Sequence, residues 1–434
     1  MSRIYLTRKL KTFKYIALFF LPLFHFLDWE YSTIFGQFGS SLIFSFPFLI
    51  VGILLYLTKQ SRFSLKFLFL IFSYLISYFI YLLLMDHANF NYFITQSLKS
   101  FSYIYFLIQV LNSISNYDSL EFKKILKLYF CGIGLTFVLV VFIPIYQYSD
   151  FSLGSAYNLG LSHSLPFFQT TLDHPFISSI VFCVCFVILI YNVFNPIFKG
   201  YPFLRFFIIV LFLILCSLML YLLLIINRRG PILTIFLALI FVLFTVKWRN
   251  LQVLLFLSLF SMTSIFFWDL FDNLLDNLSN NALFSALIVR NDYKSLSEAT
   301  GRIVGWMTGL NMLSDLSFLD FFKYHKVIVL STDNTYDHFH NGFLQIIYER
   351  GIFGFSIVIL LIFRTFKNIV LRTKLFSSFI ILLVFLFFME FLLSTTESIF
   401  YSFQFTEKFF LFLVIFLEKG SYMEDLPTTI RHIA

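Results

Sequence analysis

Asp337-His338-Phe339-His340-Asn341-Gly342-Phe343-Leu344-Gln345-Ile346-Ile347-Tyr348-Glu349-Arg350-Gly351-Ile352-Phe353-Gly354 stands where a long polar loop gives way to an apolar run. His340, Phe343, Leu344 and Ile347 recur at i, i+3, i+4 and i+7, the spacing of one helix face. Gly351 is placed to end that helix, because glycine accepts the left-handed turn of a C-cap without a Cβ penalty. Beyond Gly354 the chain is apolar again. The pattern predicts a helix that starts at the border of water and membrane and leads inward, with two imidazoles and an amide at its mouth.

The rest of the chain supplies the membrane. Of 434 residues, 59% are hydrophobic and 12% charged, against about 25% charged in a soluble domain. This is the composition of a polytopic membrane protein. The net charge of +8 does not mark a nucleic-acid partner, since the basic residues lie in short clusters between apolar runs, as topology signals do. Cys131, Cys183, Cys185 and Cys216 all lie inside apolar spans and offer neither a disulfide framework nor metal-ligand spacing. The basic, then apolar, N-terminus lacks a small-residue cleavage signal and reads as an uncleaved first helix.

At about 20 apolar residues per span, twelve spans fit, roughly 14–28, 41–57, 67–85, 99–115, 128–146, 176–195, 206–226, 231–246, 250–268, 352–366, 375–394 and 399–417. Alternation puts Arg3 to Lys14, Lys59 to Lys66, Lys123 to Lys127, Lys199 and Arg205, Lys247 and Arg249, Arg364 to Lys374, and Lys419 and Arg431 on the cytoplasmic side. The expected fold is an all-α integral membrane protein with both termini in the cytoplasm. Residues 1–268 hold spans 1–9, and 269–351 form a large periplasmic loop and a re-entrant helix. Spans 10–12 occupy 352–417, and 418–434 is a cytoplasmic tail.

Two arginines break the topological pattern. Arg228 and Arg229 lie in the tight turn Asn227-Arg228-Arg229-Gly230-Pro231, on the outer side. One reading is snorkelling at a helix end; the other is an anion site, since the guanidinium fork matches phosphate oxygens. In the large loop, Thr300 to Leu313 reads as an amphipathic helix with Ile303, Trp306, Met307 and Leu310 on its apolar face and Thr300 as N-cap. Arg302 falls in its first turn, where free N–H groups add to a phosphate site; the plainer reading is a solvated surface arginine.

Three stretches thus present basic groups to the outer face: Arg228/Arg229, Arg302 and His338/His340. Arginines can hold a leaving diphosphate, and an imidazole can take a proton from a hydroxyl at working pH. The set fits a sugar leaving a lipid diphosphate under attack by an acceptor hydroxyl.

Asn227-Arg228-Arg229-Gly230, Thr300-Gly301-Arg302 with Trp306, and His338-Phe339-His340-Asn341 with Glu349-x-Gly351-x-x-Gly354 resemble the signature blocks of the bacterial O-antigen ligase/O-antigen polymerase family. The motif region covers about 220–365. The resemblance implies a GT-C-like, metal-independent membrane glycosyltransferase of the inner membrane, without a cofactor and with its active site facing the periplasm. Its donor would be an undecaprenyl-diphosphate-linked glycan. Arg229 or Arg228, with Arg302, would bind the diphosphate, and His340, or its neighbour His338, would be the base. Asn341 and Glu349 would support it. The acceptor would be another lipid-linked repeat unit for a polymerase, or lipid A–core for a ligase; a chain-length regulator is a further partner. The Phe-rich, biased composition is similar to that of surface-glycan polymerases and favours that reading.

Other features point elsewhere. Asp28-Trp29-Glu30 is an acidic pair of the kind metal-dependent lipid-sugar transferases use, or an interfacial anchor. Asp269, Asp272 and Asp276 share a helical face and suggest a cation site or a solvated helix end. Glu390, Glu407 and Lys408 lie within spans 11 and 12 and keep open a lipid-glycan flippase or transporter.

Overall fold

The structure, a computed structural model, describes residues 2–30, 42–58, 61–85, 90–137, 301–317, 341–372, 378–396 and 405–422. It also describes short pieces at 162–165, 168–171, 320–323, 329–330 and 335–336, and the single residues 39, 203, 206, 210, 325 and 339. The described helices are α1 (Ser2–Glu30), α2 (Phe46–Tyr56), α3 (Leu65–Met85), α4 (Phe90–Asn112), α5 (Ser119–Phe137), α6 (Gly301–Ser314), α7 (Gly342–Arg372), α8 (Ser378–Thr396) and α9 (Phe405–Gly420). Two antiparallel hairpins were not expected: β1 (Ser162–Leu165) with β2 (Phe168–Thr171), and β3 (Val329–Leu330) with β4 (Thr335–Tyr336). Both fall in stretches expected to be loops, and strands this short leave the helical body unchanged.

Eight of the expected spans meet a described helix; of the four between 176 and 268, only residues 206 and 210 are among the described residues. Within α3 and α7, Leu65–Leu84 and Gly342–Ile369 are each long and apolar enough to cross a membrane. Packing supports the same conclusion. One face of α3 buries Phe67, Ile71, Tyr74 and Tyr78, while Phe69, Ile76 and Leu83 point outward and are exposed. On α7, Phe353, Leu360 and Phe363 are exposed likewise. A soluble helix would carry charge on that outward face. Such outward faces are compatible with a lipid environment.

The bundle is organised around α9, whose residues from Phe409 to Leu417 are all buried, as befits a helix apolar on every side. It contacts α4, α7 and α8. Phe412 stacks on Tyr129 of α5, ring centroids 3.7 Å apart and planes within 12°. Around it α1 packs on α5, α2 on α4 and α3 on α7. A Cβ at Gly132 would overlap the carbonyl of Phe19, so only glycine lets α1 and α5 approach this closely.

Charges assigned from sequence to one side gather at one end of the bundle. Lys14 donates to Ser113 Oγ at 3.0 Å and to Glu121 Oε1 at 2.7 Å. Arg364 donates to both oxygens of Glu418 and to Ser64. Lys419 donates to Ser61, Asn116 and the Ile114 carbonyl. The cationic cluster that marks topology in the sequence also clamps four helices, α1, α5, α7 and α9, together with the α2–α3 and α4–α5 loops.

Candidate functional site

At the other end, α7 begins as its sequence dictates. Asn341 is the N-cap: its Oδ1 accepts the N–H groups of Phe343 and Leu344, each at 3.0 Å. Such a cap is worth about 0.5–2 kcal/mol over alanine. The first segment of α7 ends where expected. Gly351 has φ 62 and ψ −176 inside a helix that resumes beyond it, a backbone region open almost only to glycine. The flip folds the chain so tightly that a Cβ on Gly354 would overlap Arg350 Cβ. Glu349-x-Gly351-x-x-Gly354 therefore encodes a kink, with each glycine required for a separate reason.

The buried face of this segment is not the apolar stripe that the spacing predicts, although Ile346 and Tyr348 are buried in it. Phe343, Leu344 and Ile347 are only partly covered, whereas Gln345, Glu349 and Arg350 are almost wholly buried. The polar face turns inward because the bundle supplies partners for it. Gln345 Nε2 donates to Glu349 Oε1 at 2.5 Å, and Gln345 Oε1 accepts the Phe339 N–H at 3.0 Å. Arg350 Nη2 donates to Glu407 Oε1 of α9 at 2.8 Å. The Tyr74 hydroxyl of α3 donates to the same oxygen. The Arg350 guanidinium also lies over the rings of Tyr74 and Tyr78, 5.0 and 4.8 Å from their centroids. Periodicity finds apolar stripes and passes over Gln345; the signal that could have found it is Asn341, Gln345 and Glu349 at i, i+4 and i+8.

Phe339 lies between the two candidate histidines in sequence and is wholly buried. Its ring meets Tyr348 edge-on, centroids 5.4 Å apart, and a Cβ on Gly309 of α6 would come within 3.0 Å of it. Met312 and Leu313 of α6 pack on the same pair. The helix expected over 300–313 is present as α6, but it docks through Gly309, Met312 and Leu313. Met307 and Leu310, expected on its apolar face, are exposed. Arg302 is in the first turn of α6, seven residues before Gly309 and so about 10 Å along the axis.

His325 does structural work close by. Its backbone N–H donates to the Tyr348 carbonyl at 3.0 Å and its ring packs on Tyr348. Lys323 and then Ser317 hold the exposed Asp320 carboxyl down to about 2. Of the residues that the sequence assigns to the site, Asn341 and Glu349 are placed and Arg302 is placed by its backbone; Glu390, Glu407 and Lys408, singled out for another reading, are buried. Arg228, Arg229, His338 and His340 lie outside the described residues, as do Asp269, Asp272 and Asp276. Among the described residues no group of three or more His, Cys, Asp or Glu side chains could hold a metal ion.

The O-antigen ligase family model matches residues 214–359. Over that stretch the chain is similar to the O-antigen ligase domain, which supports a place in the O-antigen ligase/polymerase family. The match contains all three sequence blocks, from Asn227 through α6 to Gly354, and ends inside α7. A search among curated proteins gives no match. The domain supports O-antigen ligase/polymerase-type activity, a glycosyltransferase-like chemistry on lipid-linked glycans in a membrane protein.

Proposed function

We infer that this protein is a surface-polysaccharide polymerase of the inner membrane, with twelve spans and its site facing the periplasm. It transfers a glycan from undecaprenyl diphosphate to a hydroxyl of another lipid-linked repeat unit. In that step the bond from the sugar's anomeric carbon to the diphosphate oxygen breaks, and a bond from the same carbon to the acceptor oxygen forms. The acceptor's proton goes to an imidazole, His340 with His338 as the alternative. The diphosphate leaves with its charge held by Arg228/Arg229 and Arg302, whose fork matches phosphate oxygens. Transition-state charge can be met by these cations without a metal.

The observation that carries this reading is the seat of Phe339. Phe339, the residue between His338 and His340 in sequence, is seated against α6, the helix that bears Arg302, inside the residues matched by the family model. Replacing Arg302 with Lys should lower activity, because a point charge lacks the fork. His340→Ala should abolish polymer while the protein still inserts; full-length polymer in that variant removes the base assignment.

A ligase acting on lipid A–core is the second reading, favoured by the description of the matched family. Deletion separates the two. One repeat unit left on the core is the mark of a lost polymerase; polymer left on the carrier lipid is the mark of a lost ligase. Units trapped on the cytoplasmic side would instead favour a flippase, for which Glu407 gives no support because it pairs with Arg350.

A further inference from the structure

We propose that Gln345 and Glu349 are positioning residues that hold the backbone of Phe339, the residue between His338 and His340 in sequence. The proposal rests on the reading that one of these two imidazoles takes the acceptor's proton.

A glutamine amide has a donor end and an acceptor end, and Glu349 fixes which is which. With Nε2 donating to Glu349 Oε1 at 2.5 Å, the amide oxygen is turned to the Phe339 N–H at 3.0 Å. Flipping the amide would set oxygen against oxygen and N–H against N–H. Gln345 and Glu349 are i and i+4 on one turn, so the chain of two bonds runs along a rigid helix. The ring of Phe339 is held separately, by Gly309 and Tyr348. The single residue between the histidines is thus fixed at both its backbone and its side chain.

Simple packing does not explain the choice of residues. Burying an amide and a carboxyl has a desolvation cost, and leucine would fill the space at 345. Leucine would leave the buried Phe339 N–H without an acceptor and that backbone without its anchor. A base must stand within hydrogen-bond reach of the proton it takes, and a small displacement of that base is costly to rate.

The test uses the full-length protein in lipid nanodiscs, with lipid-diphosphate glycan extracted from cells lacking this protein as the probe. Gln345→Leu should speed hydrogen exchange at the Phe339 amide by about an order of magnitude. Its maximal transfer rate should fall roughly 10–100-fold, with the half-saturating glycan concentration within about twofold of wild type. Gln345→Glu sets two carboxyls together and should also lose rate. The exchanged pair Gln345→Glu with Glu349→Gln restores donor and acceptor in order, and should recover both rate and protection. These two variants keep side-chain volume and decide the matter if Gln345→Leu fails to insert.

Full rate in Gln345→Leu despite fast Phe339 exchange would overturn the proposal, as would unchanged exchange or a swap no better than the single variant. Wild-type rates in both His338→Ala and His340→Ala would overturn the base reading instead, so the two failures are read on different samples.

Discussion

Arg350 and Glu407 form an ion pair at 2.8 Å with neither side chain exposed, tying the residue before the α7 kink to the central helix. Removing one partner of such a pair strands the other charge, at about 3–5 kcal/mol. Arg350→Met and Glu407→Leu should each lower the detergent melting temperature sharply. The double replacement should lie well above the sum of the two, since an apolar pair strands no charge. A double-mutant cycle read by thermal unfolding checks this, and additive losses would show that the contact is not energetic.

Gly351, with φ 62 and ψ −176, is the hinge between the capped segment of α7 and its membrane run. An alanine there must adopt a conformation that disfavours any Cβ, at about 1–3 kcal/mol, or straighten the helix. Straightening would move Arg350 relative to Glu407 and Gln345 relative to Phe339. Gly351→Ala should therefore lose both stability and transfer, measured as melting temperature and polymer yield. Ala at Gly134, where a Cβ meets nothing within 4 Å, is the control and should lose neither.

The kink and the helix over 301–314 were legible because each depends on local residues: a glycine after a capped apolar face, and a run with a helical period. The inward face of α7 was not. The stripe His340, Phe343, Leu344 and Ile347 has the right period, yet Phe343, Leu344 and Ile347 are only partly covered, while Gln345, Glu349 and Arg350 are buried beside Ile346 and Tyr348. Their burial depends on Tyr74 and Glu407, which lie far away in sequence. No local pattern reports a partner 57 residues away. The same holds for Phe339, whose role follows from Gly309 of a different helix. Basic clusters report topology by their sequence positions alone, while their carboxylate partners Glu121 and Glu418 leave no local signal, because pairing is a tertiary fact.

Gly309 sets how close α6 comes to Phe339. The Cβ of an alanine would sit 3.0 Å from the ring, so the ring must shift by a few tenths of an ångström. Gly309→Ala should lower transfer modestly. Gly309→Val has no room and should separate α6 from the loop, losing transfer by roughly 100-fold with membrane insertion kept. Cysteine crosslinking between α6 and α7 in the valine background would read that separation; an unchanged crosslinking rate with normal transfer would show that the seat does not matter.

Lys419 gives the fold a pH dependence at the cationic end. Its ammonium donates to Ser61, Asn116 and the Ile114 carbonyl, yet burial pushes its pKa down from 10.5 to about 8. The folded state therefore holds this proton less tightly than the unfolded chain, where the value is ordinary. Linkage then requires stability to rise with pH across the window from about 8 to 10.5 and to be flat below it. Wild-type protein in nonionic detergent should gain melting temperature over the start of that window, from neutral pH to about 9.5. Lys419→Met, which fills the same volume with no titrating group, should abolish the gain. It should also raise the value at neutral pH unless the loss of its three hydrogen bonds costs more than the buried charge did, the Ile114 carbonyl keeping the Ser61 hydroxyl as donor. An equal rise with pH in wild type and variant would assign the dependence to another group.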